Sequence, residues 1–340
     1  MDIYVKRFRE ELVLKTLGFL WDRWSELGVS GYVQKQDERT IDPEALTLFS
    51  FTIARFDARL FDEILDWTSI NGQFLNMQRF QNLIKTYGFE GAPVLSAVAM
   101  MQQESESYGL KWKKIASAYK KTNAEPLFYL VSGEHLPVSD IHDSNFEKCG
   151  FFRGEINLRG KSQSFPKNGY SSLILRLRGL FGVNIRCELL ALIAAVEEIY
   201  ASEAARQICF YQKSVQQALN EMFSSGALKS SSTGKIKKYR LTPGVLDGLL
   251  KTDGKNPKWF AWAPVFRALE MVIQKLYDKK LNESSQLLFS SEMRQLMFAM
   301  IPLLESAGLG NLVSDPNQHL GEKYTEVFFS DMSKILAVVT

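Results

Sequence analysis

Histidine and cysteine are scarce in this 340-residue chain, three of each, and the scarcity narrows the chemistry. Cys149, Cys187 and Cys209 stand far apart with no Cys-x-x-Cys pair, which excludes a zinc knuckle or dithiol redox motif and points to a reducing cytoplasm. His135, His142 and Cys149 recur every seven residues beside Asp140 and Asp143. Pro137 interrupts any helix that would align them, so no metal site is expected. No Gly-rich phosphate loop, GxSxG elbow or HExxH occurs; no catalytic or cofactor-binding set is read, and the protein is not expected to be an enzyme. Long apolar runs are missing too. The longest, Leu189 to Val196, has eight residues, against about 18 for a membrane span. The opening MDIYVKRFREE is charged, so neither export nor a membrane span is expected. Excess charge is also absent, because 41 Lys plus Arg against 38 Asp plus Glu leave only +3.

What is present is a chain of ordinary globular composition, 46% hydrophobic, which excludes global disorder. At roughly 100–200 residues per domain, its length suits two or three domains. Apolar residues at helical spacing dominate. Phe8, Leu12, Leu17, Leu20 and Trp24 line one face of an opening helix that Gly28 and Gly31 end. Between Asp37 and Asp66 stand eight acids and three bases, a local charge of −5. Asp42-Pro43 reads as an N-cap and first helical residue, Asn71-Gly72 as the turn between helices near 58–68 and 76–87, and Pro93 as the start of another helix. From 123 to 182, Pro126, Pro137 and Pro166 with short runs such as LFYLV predict loops and a few short strands. Near the end, Trp262, Val265, Phe266, Leu269, Ile273 and Leu276 keep helical spacing, as do Met293, Met297, Met300 and Leu304. The expected organisation is mainly α and multi-domain: an N-terminal helical region (1–122), a connector (123–182), a compact module (183–245) and a C-terminal helical region (257–340).

The module carries the functional signal. A first helix from Val183 to Tyr200 places Ile185, Leu189, Leu192, Ile193 and Val196 on one side, and Ser202 is positioned to cap a short second helix bearing Ala205 and Ile208. A turn through Cys209 to Tyr211 leads to a third helix. There Val215, Leu219 and Met222 share one face, while Lys213, Gln216, Gln217 and Asn220 fall on the other. Amides and an amine on an outward helix face are suited to base edges in a major groove. Gly226 then caps the helix, Ala227-Leu228 starts a strand, SSSTGK turns, and IKKYRLT returns as a strand with Lys235, Lys237, Lys238 and Arg240.

On these residues the stretch 183–242 resembles the winged helix-turn-helix family of bacterial and archaeal transcription regulators, in the broad arsenic-repressor and antibiotic-resistance-repressor style. The matching positions are Ala205, Ser214-Val215, Leu219, Met222, Gly226-Ala227-Leu228, Gly234 and Tyr239-Arg240-Leu241. Two positions depart from the pattern: Cys209 stands where glycine is common, and Tyr211 where a small capping residue is common. The resemblance implies three helices plus a β-hairpin wing, double-stranded DNA as partner and commonly a homodimer. Gln212, Lys213, Gln216, Gln217 and Asn220 would face the groove, and Lys235, Lys237, Lys238 and Arg240 the phosphates. Residues 202–241 hold seven bases and two acids, the sign that phosphate binding needs. The runner-up is a protein-interaction scaffold that uses the same module to dock a protein partner.

Other basic or polar stretches have plainer readings. KWKKIASAYKK (111–121) fits an amphipathic helix with solvated lysines. Arg176, Arg178 and Arg186 flank the module and could reach phosphates or serve solubility. The helices near 58–68 and 76–87 could form a second helix-turn-helix exposing Asn76, Gln78, Arg79, Asn82 and Lys85, but their acidic approach favours ordinary packing. WFAW (259–262) is expected to fasten the C-terminal helices to the module.

Overall fold

The computed structural model of the chain describes residues 3–29, 38–105, 108–138, 140–234 and 236–340; Gly31, Asp37 and Lys235 fall outside them. It is mainly helical. The first helices are α1 (Ile3–Glu26), α2 (Pro43–Ile53), α3 (Ala58–Asn71), α4 (Met77–Tyr87), α5 (Ala92–Gln102) and α6 (Gly109–Ala116). Asp42 caps α2 as its sequence suggests, its carboxylate accepting from the Ala45 amide at 3.0 Å with Pro43 in the first turn. Asn76 caps α4, and Gly88 ends it in the left-handed conformation at φ 68°.

The connector holds β1 (Glu125–Pro126), α7 (Ser144–Lys148) and β2 (Phe151–Phe152), with β1 and β2 parallel. Residues 153–164 form no regular element; the buried Asp66 carboxylate fixes part of this strap by accepting from the amides of Gly160, Lys161 and Ser162 at 2.8–3.1 Å. Three backbone donors on one carboxylate replace the ladder bonds that the strap lacks.

Next come α8 (Leu173–Phe181), α9 (Ile185–Ala195), β3 (Ile199–Tyr200), α10 (Ala201–Ile208), α11 (Gln212–Ser224), β4 (Leu228–Thr233), β5 (Ile236–Leu241) and α12 (Asp247–Leu250). Two local expectations change here. The first helix of the module stops at Ala195, and Ile199–Tyr200 becomes a strand paired antiparallel with β5, so the small sheet has the order β3-β5-β4. Ser202 lies inside α10, whose cap position is Tyr200 and bears no side-chain bond.

The chain ends with α13 (Trp262–Leu276), α14 (Lys279–Asn282), α15 (Gln286–Ser306) and α16 (Tyr324–Val339). Among the described residues, α15 is long and apolar enough to cross a membrane by length and composition, with 33% of its apolar window buried. Glu292 and Arg294 interrupt its apolar residues, so a search for unbroken runs passes over it. Its Met293, Met297, Met300 and Leu304 face the interior.

Two hydrophobic cores result. One unites α1–α7 with α13–α16, although more than a hundred residues separate these groups in sequence. Phe49 stacks on Phe266 with centroids 4.7 Å apart, Phe8 on Phe329 at 3.8 Å, and the buried Trp262 indole donates to the Thr40 carbonyl at 2.8 Å. The second core belongs to residues 173–250, centred on Leu177, Leu189, Ile208, Leu219 and Tyr239. WFAW joins the two: Trp262 sits in the first, while Trp259 packs on the second and donates to Gln207 of α10 at 3.0 Å.

Candidate nucleic-acid interface

The outward face of α11 is built by what its inward face must bury. Val215, Ala218, Leu219 and Met222 are buried, and their i, i+3, i+4, i+7 spacing fixes the rotation of the helix. That rotation leaves Gln212, Lys213, Gln217 and Asn220 exposed and Gln216 half-buried. The polar residues are not equally available. Gln216 donates to the Tyr239 hydroxyl at 2.8 Å, and that hydroxyl donates to Asn220 Oδ1 at 2.8 Å, so helix and wing are stitched together by a buried tyrosine. Gln217 donates to Glu221 at 3.0 Å.

The helix begins at an unusual turn. Cys209 adopts φ 57° and ψ 52°, a left-handed conformation that costs a side-chain-bearing residue about 1–2 kcal/mol. Helix α4 braces it: Asn82 donates to the Cys209 carbonyl at 3.0 Å, and the thiol lies 3.5 Å from Thr86 Oγ1. Burial pushes the thiol pKa up, which keeps it protonated.

In the wing, β4 and β5 pair antiparallel from Leu228↔Leu241 to Thr233↔Ile236, with Gly234 beyond them at φ 62°. Strand alternation divides the cations that the sequence groups together. Lys237 lies on the Tyr239 side, its ammonium 4.3 Å from the Phe223 ring centroid and 5.0 Å from that of Tyr239. Lys238 faces the other way and pairs with Glu198 at 3.3 Å. Arg240 shares that face, directly opposite Lys229, and both are exposed. Lys235 lies outside the described residues. Arg186 and Arg206 are neutralised by Glu221 and Glu203. Lys213, Lys229 and Arg240 thus remain as exposed cations with no ion pair among the described residues.

A buried ionic cluster holds this module against the larger core. Arg178 of α8 donates to both oxygens of Glu44 at 2.6 and 2.8 Å and to Glu188 of α9 at 2.5 Å, with all three side chains inaccessible to solvent. Beside them Arg79 makes a two-pronged contact with Asp42 at 3.1 and 2.6 Å. Burial works to raise the Glu44 pKa, but Arg178 and Arg79 outweigh it and hold the carboxyl below its ordinary value. Burial likewise works against the Arg178 charge, and Glu44 with Glu188 more than restores it.

No family model, curated protein or solved structure matches this chain.

The weaker sequence signals resolve into structural roles. Arg178 does not reach outward for phosphate; it is the centre of the buried cluster. Arg176 donates to the Gly169 carbonyl at 2.8 Å. In the second helix-turn-helix candidate, Asn76, Arg79 and Asn82 are buried, with only Gln78 and Lys85 of the five exposed, because capping, Asp42 and Cys209 claim the first three. Lys111 is drawn down onto the carbonyls of Gln73 and Leu75 at 2.5 and 2.9 Å, and burial lowers its pKa to about 8; Trp112 and Ile115 are buried and Lys113 and Lys114 exposed, but α6 ends at Ala116, so residues 117–121 of that basic run lie outside the helix, and Lys121 pairs with Glu125 at 2.6 Å. His135 packs on Tyr129 and His142 on Phe152. Sequence reading missed the Arg178 cluster, yet a signal was present: Ile174, Leu177 and Arg178 occupy one helical face, so an arginine continues an apolar stripe.

Proposed function

We propose that residues 183–245 form a winged helix-turn-helix through which the protein binds double-stranded DNA as a transcription regulator of the cytoplasm. The observation that carries this reading is the set of exposed cations without ion pairs among the described residues, Lys213 on α11 with Lys229 and Arg240 on the wing, beside the exposed side chain of Gln212. Amides and lysine at the start of a helix suit base edges and groove-lining phosphates, and a cross-strand Lys and Arg suit the sugar-phosphate backbone. Two cations placed opposite each other on neighbouring strands repel in the free protein, and a phosphate relieves that repulsion. Gln216 and Asn220 support the reading differently from the other amides: their bonds to Tyr239 fix helix and wing at one spacing before any duplex arrives. The test is selection by the full chain from a random duplex library at near-physiological salt. Enrichment of one motif is expected, and retention of no duplex overturns the reading.

The second reading, a protein-docking module, draws on the exposed stretch 179–183, where Leu180 and Phe181 are 62% and 44% accessible. Contiguous exposed apolar residues are a feature of protein-contact surfaces. It predicts an empty duplex selection.

A further inference from the structure

The small sheet β3-β5-β4 has one packed face and one open face. Ile199 and Tyr239 stand opposite each other on β3 and β5, and both are buried in the second core. Alternation sends the next residues the other way. Tyr200 stands opposite Lys238, and Lys238 opposite Ser231, so one row of side chains crosses all three strands on the outer face. Arg240 and Lys229 form the next row. Tyr200 is 41% accessible, and among the described residues its ring makes no aromatic contact and its hydroxyl no hydrogen bond. Charge divides unevenly between the rows. Beside Tyr200, Glu198 holds the Lys238 ammonium at 3.3 Å and accepts from the Ser231 hydroxyl at 3.2 Å, which leaves no net cation next to the ring. In the next row Arg240 and Lys229 are exposed with no ion pair among the described residues. Diagonal neighbours on an antiparallel face stand roughly 7–8 Å apart, so Arg240 lies from Tyr200 at about the span between a base and the phosphate of its own nucleotide.

We propose that this outer face binds single-stranded nucleic acid, one unpaired base lying on the Tyr200 ring and the adjoining phosphates on Arg240 and Lys229. A base inside a duplex has both faces covered by its own stack, so only an unpaired base can lie on an exposed ring. Stacking of this kind tolerates any sequence, because every base has a π-face, and cations along the backbone complete such sites. A free phosphate uses the two cations and leaves the ring bare. The platform does not rest on the duplex reading: it needs Tyr200, which plays no part in that reading, and it does not need Lys213. The two share only Lys229 and Arg240.

Fluorescence anisotropy of the full chain with short labelled oligo(dT) and oligo(U), neither of which pairs with itself, tests the platform. Saturable binding of at least one is expected, and the tighter of the two identifies the strand. Tyr200→Ala should weaken it by at least about fivefold through the lost stack, while Tyr200→Phe, which keeps the ring, should stay within about twofold. The Lys229→Ala/Arg240→Ala double variant should make the slope of log affinity against log salt shallower by about 1.4, at about 0.7 for each single-strand phosphate. Lys213→Ala should leave oligonucleotide affinity within about twofold. Absence of binding at roughly 100 μM protein, equal affinities for the native and Tyr200→Ala proteins, or a Tyr200→Phe protein as weak as Tyr200→Ala overturns the proposal. If Tyr200→Ala fails to fold, an unchanged salt slope in the double variant overturns it. Tyr200-dependent oligonucleotide binding by a protein that retains no duplex upholds the platform and overturns the duplex reading instead.

Discussion

Helix pairs α3–α4 and α10–α11 look alike as sequence: each is a short helix, a tight turn and a second helix bearing asparagine, glutamine and a basic residue. Their polar residues meet opposite fates. On α4, Arg79 and Asn82 are buried, one bonded to Asp42 and the other to Cys209. On α11, Gln212, Lys213 and Gln217 face solvent. The difference comes from what is packed alongside. Helix α4 is covered by carboxylates from α2 and by the α10–α11 turn, whereas among the described residues α11 meets only its own module on its inward face. A polar helix face therefore reports function only when no neighbouring element supplies the complementary charge.

The comparison breaks first at the ionic cluster. Arg178→Ala leaves Glu44 and Glu188 buried without their cation, and loss of one partner of such a cluster costs about 3–5 kcal/mol. Urea unfolding measures it; a loss below about 1 kcal/mol would show that the cluster is not what joins the two cores. The next contrast sets the two helices against each other. Arg79→Ala should cost about 3 kcal/mol, because it strands Asp42, while Lys213→Ala should change stability by no more than about 0.5 kcal/mol. Equal losses would erase the distinction.

A further contrast concerns pH. Glu270, in the larger core, has its pKa raised by burial to about 7 despite bonds from Thr52 and Arg267. Between the ordinary value of 4.5 and about 7 the native state holds a proton that the unfolded chain has released. Stability therefore falls as pH rises through that window and levels off above it, by about 3 kcal/mol. Glu270→Gln should flatten the profile. An unchanged profile would assign the pH response elsewhere.

Much of the fold is legible in the sequence because it rests on local rules. Asp42-Pro43 and Gly226 mark helix ends, and Val215, Leu219 and Met222 set the inward face of α11. What was not legible depends on residues distant in the chain. Glu44 meets Arg178 across 134 positions, and no periodicity announces such a pair. Strand β3 escaped because two residues gain their identity only by pairing with Tyr239 and Lys238. The candidate interface was legible as a stretch and not as a set of available groups, because Glu198, Glu221 and Tyr239 decide which cations and amides are already occupied.

The most direct measurement is the salt dependence of duplex binding by the full chain and by its Lys229→Ala/Arg240→Ala double variant. Each phosphate contact contributes about 0.9 to the slope of log affinity against log salt. The expected result is a double variant weaker on every sequence, with a slope shallower by about 2; identical slopes for the two proteins would contradict the assignment of the wing to DNA.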